Sequence, residues 1–92
     1  MDTLAQVAQQ IIKHQQVIIG PLAFDQARAV AGLEVDTNGQ VIKISADGKK
    51  VVEKLVQQYE KLFGRTSLEV CKDAVKEIKP PIPADQLPEI LR

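Results

Sequence analysis

The stretch DGKKVVEKLVQQYEKLFG, from Asp47 to Gly64, decides how the rest of this chain is read. Val51, Val52, Leu55, Val56, Tyr59, Leu62 and Phe63 recur on a 3.6-residue period, and Lys50, Glu53, Lys54, Gln57, Glu60 and Lys61 fill the opposite side. That is an amphipathic helix with a broad apolar stripe. Asp47 is placed to cap its start and Gly64 to end it. The stripe divides into two sub-faces, Val51, Leu55 and Leu62 on one, and Val52, Val56, Tyr59 and Phe63 on the other. Either neighbouring helices cover both, or the second is left for a partner.

Immediately before this helix, LEVDTNGQVIKIS (33–45) reads as a β-hairpin. Asn38-Gly39 is a favoured pair for a two-residue type I′ turn, and such a turn sets Val35 opposite Ile42, Glu34 opposite Lys43 and Leu33 opposite Ile44. One face then collects Leu33, Val35, Ile42 and Ile44, and the other carries the oppositely charged pair Glu34 and Lys43. A lone hairpin is marginal in water, so its apolar face must lie on helices.

Upstream, Thr3 and Gln6 form a weak capping box, and Leu4, Val7, Ala8, Ile11, Ile12, Ile18 and Ile19 continue at helical spacing. The polar group His14, Gln15 and Gln16 interrupts that stripe, either as a wet notch or as a cover over the end of the core. Val17, Ile18 and Ile19 are β-branched, so a short strand there is the alternative to helix. Gly20-Pro21 ends the segment, and Pro21 opens a short second helix with a narrow face of Leu22, Ala23, Ala27, Val30 and Ala31, closed by Gly32.

Downstream, Thr66 and Glu69 form a second capping box, and Leu68, Cys71, Ala74, Val75 and Ile78 give the stripe of a fourth helix that stops by Lys79. Four of the five prolines follow, at positions 80, 81, 83 and 88. The fold expected is α+β in the order α-α-β-β-α-α, a single domain over residues 1–79 with a proline-rich tail over 80–92. Ile82, Leu87, Ile90 and Leu91 space apolar groups along that tail, which either docks or stays mobile.

A chain of 92 residues has a thin core, and with Phe24, Tyr59 and Phe63 its only aromatics, that core is aliphatic. Twelve basic and twelve acidic side chains cancel, so no overall field draws the molecule to nucleic acid or an anionic membrane. The single cysteine excludes an internal disulfide and a cysteine-based metal site, and fits a reducing cytoplasm. The N-terminal residues lack the basic start and apolar core of a secretory signal. No uninterrupted apolar run approaches the roughly 20 residues of a spanning helix.

No constellation for catalysis, metal or cofactor stands out. His14 lies among glutamines with no partner implied by spacing, and reads as a surface residue. Cys71 falls on an apolar stripe, where a thiol acts as a small hydrophobe. Asp36, Asn38 and Asp47 lack the twelve-residue spacing and terminal glutamate of a calcium loop. The five glycines are dispersed, unlike a phosphate-cradling run. A ligand pocket near His14, Tyr59 and Asp25 would need the fold to bring those three together.

The expectation is therefore a small soluble non-enzymatic protein-interaction or regulatory module, a homodimer that also meets another protein. Its expected interface is Val52, Val56, Tyr59 and Phe63 with Ile82, Leu87, Ile90 and Leu91. The alternative is a nucleic-acid-binding regulator that uses Lys43, Lys49, Lys50 and Lys54, although interspersed acids suggest a solvated helix with local ion pairs.

Overall fold

The computed structural model describes residues 3–92. Helix α1 spans Thr3–Ile19, α2 Leu22–Arg28, strand β1 Leu33–Val35, β2 Val41–Ile44, α3 Gly48–Phe63 and α4 Arg65–Lys76. Single 3-10 turns follow at Ala84–Gln86 and Glu89–Leu91. The fold is α+β in the expected order, a two-stranded antiparallel hairpin packed on helices. No helix among the described residues is long and apolar enough to cross a membrane.

Helix α1 lies at the centre, in contact with α2, α3, α4 and β2. Its buried residues are Ala5, Val7, Ala8, Ile11, Ile12 and Gln15. Val17, Ile18 and Ile19 are its last helical turn, which resolves the strand alternative. The buried phase runs through Ala8, Ile11, Ile12, Gln15 and then Ile19, so a glutamine occupies a core position and Val17 falls on the opposite side. Of the two arrangements expected for the polar group, the wet notch does not form at Gln15, which is sealed from water.

Gln15 is 1 % exposed, and its Nε2 donates to the Ser67 carbonyl of α4 at 3.2 Å and lies 3.5 Å from Cys71 Sγ. Those partners make burial of the amide tolerable.

The hairpin departs from the two-residue turn. Asp36 N–H donates to the Gln40 carbonyl at 2.9 Å and Gly39 N–H donates to the Asp36 carbonyl at 3.1 Å, closing a loop of Thr37, Asn38 and Gly39. The cause is the Asp36 side chain. Its Oδ1 accepts from Asn38 N–H at 2.8 Å and Gln40 N–H at 2.9 Å, an Asx-type bracket that favours this longer loop. Gly39, at φ +82°, supplies the left-handed residue the loop needs, and Phe24 covers it so closely that a Cβ would meet the ring at 2.2 Å.

Register shifts by one as a result, then recovers. Val35 pairs with Val41, whereas Glu34 still faces Lys43 and Leu33 still faces Ile44, because Ile42 is an extra bulged residue. Val41 therefore takes the core position expected for Ile42, and Ile42 stands 66 % exposed.

Asp47 occupies the N-cap position of α3 without a side-chain capping bond, its carbonyl accepting from Val51 N–H at 3.0 Å. Gly64, at φ 86°, ends α3 and serves directly as the N-cap of α4. The capping box expected at Thr66 does not form, because the helix already begins at Arg65. The short link thus lets α4 pack against both α3 and α1. Helix α2 ends at Arg28, before Gly32, whose φ of 87° instead turns the chain into β1.

The tail docks. Leu87 and Leu91 join the core, with Ile82 and Ile90 packed against it. Lys49 Nζ donates to the Asp85 carbonyl, and Arg92 Nε donates to the Ala84 carbonyl at 3.0 Å.

Candidate functional site

Both sub-faces of α3 are largely covered. Val52, Val56 and Tyr59 have no exposure, and Leu87 and Leu91 of the tail are buried, so these five cannot form an external interface. Phe63, Ile82 and Ile90 are half-buried against the same core. The physical reason is that α1 and α4 flank α3 while the tail closes over α3 and α4. Tyr59 is fixed inside by its hydroxyl, which donates to the Ala23 carbonyl at 2.7 Å. Burial raises its pKa well above the ordinary phenol value, with a smaller contribution from Cys71.

The lysines of the alternative reading are exposed but dispersed in role. Lys43 sits on β2 opposite Glu34, and Lys49 is engaged by the tail. Lys50 and Lys54 lie one turn apart on α3, with Lys54 beside Lys61, Gln57 and Gln58 rather than beside Lys43.

His14, Tyr59 and Asp25 do not converge. His14 Nε2 lies 2.8 Å from Glu77 Oε2 and 3.2 Å from Gln10 Nε2, while Asp25 pairs with Arg28 at 3.1 Å. Cys71 is fully buried, and desolvation pushes its thiol up to about 11, with the Gln15 hydrogen bond opposing and Glu60 adding to the rise. A thiol so held is a poor nucleophile. Among the described residues no group of three His, Cys, Asp or Glu side chains is arranged to hold a metal.

Leu62 of α3, Leu22 and Ile42 are exposed, and so is the adjacent pair Val17 and Ile18. Val17 is 83 % and Ile18 61 % exposed, both on the last turns of α1. With Val70 of α4 they line a shallow groove of about 360 Å³, whose remaining walls are Lys13, His14 and Asp73. Lys13 and Val17, and His14 and Ile18, are each one helical turn apart, and so are Val70 and Asp73. The groove thus runs between two helices that each bury an opposite face in the core. Its rim carries one cation and one anion, and among the described residues neither Lys13 nor Asp73 has an ion-pair partner.

The sequence held a signal for this face. Val17 lies diametrically across the helix from the phase set by Ala8, Ile12 and Ile19, and a β-branched residue there has no core to enter. Assigning Ile18 to the core stripe concealed it. Comparison of the chain with protein-family models, with curated proteins and with solved structures found no match.

Proposed function

We propose that this chain is a non-enzymatic protein-interaction module that works as a homodimer through the groove between α1 and α4. The observation that carries the reading is the exposure of Val17 and Ile18 on a helix whose opposite side is the centre of the core. Contiguous apolar groups with a polar rim are the usual form of a protein contact.

A second copy fits this rim better than an arbitrary partner. In a two-fold contact each surface meets itself reversed, so Lys13 of one protomer meets Asp73 of the other, twice over. The two unpaired charges are then complementary without any further element. Val17 and Ile18 pack against their own counterparts across the axis.

Light scattering across a dilution series tests this. The wild type is expected to move from dimer to monomer on dilution, and Val17→Glu to remain monomeric while keeping its helical circular dichroism. A strict monomer at the highest concentration reached contradicts it.

A further inference from the structure

A second cleft, of about 580 Å³, lies between α4 and the docked tail. Val75, Ile82 and Leu87 provide apolar lining, and Lys72, Lys76 and Arg92 stand around them. Glu69 is the one acidic side chain in the lining, so the side chains there number three cations against one anion. Lys72 and Lys76 are four apart on α4 and share a face, and among the described residues neither has an ion-pair partner. Arg92 is held at the edge by its Nε bond to the Ala84 carbonyl, which leaves the terminal nitrogens of the guanidinium without a described protein acceptor.

We infer that this cleft binds an aliphatic monocarboxylate, its chain laid on Pro81 and Ile82 over the small exposed edges of Val75 and Leu87, and its carboxylate met by Lys72, Lys76 and Arg92. The volume lies within the range of small-molecule pockets, and a chain of roughly ten carbons suits it. Apolar walls with a few convergent polar groups fix orientation as such sites do. A guanidinium with free nitrogens offers paired donors to a carboxylate, and the two ammonium groups add charge without geometric demand. The net positive lining disfavours an aliphatic ammonium of the same length. This site shares no lining residue with the groove between α1 and α4, so its fate is independent of the dimer.

The test is a titration of the full isotope-labelled chain with sodium decanoate, kept below its micelle concentration and followed by amide chemical shifts. Saturable one-to-one shifts within residues 69–76 and 82–92 are expected. Lys72→Ala combined with Lys76→Ala should weaken binding on the order of tenfold with the rest of the spectrum unchanged, since neither lysine belongs to the buried core. Octanoate should bind more weakly than decanoate, and decyltrimethylammonium should produce no saturable shift. The inference is overturned by absence of saturation with decanoate, by equal affinity of the double variant, or by binding of the cationic amphiphile as tight as that of decanoate.

Discussion

The side-chain amide of Gln9 on α1 clasps Val41 of the hairpin, its Oε1 accepting from the Val41 backbone N–H at 2.6 Å while its Nε2 donates to the Gly39 carbonyl at 3.1 Å. One side chain thereby satisfies two backbone groups on the return side of the hairpin, where the strands are too short to do so themselves. Helix and hairpin are joined by this contact as well as by the burial of Val41 and Leu33.

Gln9→Ala should therefore loosen the hairpin selectively. A loss of about 1–3 kcal/mol is expected, since two partly buried backbone groups lose their partner. Hydrogen exchange at the Val41 amide should accelerate far more than at Leu55 in α3. Uniform acceleration would mean the clasp has no local role.

Asp36 and Gly39 set the loop between the strands. Asp36→Ala removes the acceptor of two amide bonds and should cost about 1–2 kcal/mol. Gly39→Ala combines a left-handed backbone with a collision against Phe24, so it should cost more than the roughly 1–2 kcal/mol of the backbone effect alone. Replacing Phe24 by Leu in the Gly39→Ala background should recover part of that loss in a denaturant titration. Strict additivity of the two changes would disprove the collision.

Gln15 should be irreplaceable by alanine. The substitution leaves a cavity and removes the side-chain donor to the Ser67 carbonyl, and roughly 2–4 kcal/mol of stability should go with it, read as a lower denaturant midpoint. Gln16→Ala, one residue along on the exposed side, should change the midpoint little.

Stability should fall in alkali. Burial holds the Cys71 proton to about 11 in the folded chain, above the ordinary thiol value of 9.0, and raises Tyr59 too. The unfolded chain releases these protons first, so the stabilisation is complete below about 9 and is lost as pH climbs toward 11. For Cys71 the loss is on the order of 3 kcal/mol. Cys71→Ala should show a shallower decline of melting temperature between those limits. Native Cys71 should also react with iodoacetamide more slowly than free cysteine.

Much of the fold was legible because α3 and α4 follow the apolar period closely and Glu34 and Lys43 keep their pairing. What stayed hidden depends on single side chains reaching across the fold. Asn38-Gly39 favours one turn, but the Asp36 carboxylate selects another, and the bulge at Ile42 absorbs the difference. Gln15 was unreadable as a core residue because its partners lie 52 and 56 positions away. The cover that the tail gives α3 is hidden for a related reason. A proline-rich segment has no period of its own, so nothing local says that Leu87 and Leu91 close over α3 and α4.

The most direct measurement of the proposed dimer is a charge-reversal series followed by sedimentation equilibrium. Lys13→Glu alone and Asp73→Lys alone should each weaken association, because each sets like charges opposite one another across the two-fold axis. Mixing the two variants, or combining both changes in one chain, should restore the wild-type dimer. Equal sedimentation of all four samples as monomers, or singles that associate as tightly as the wild type, would contradict a two-fold contact through Val17 and Ile18.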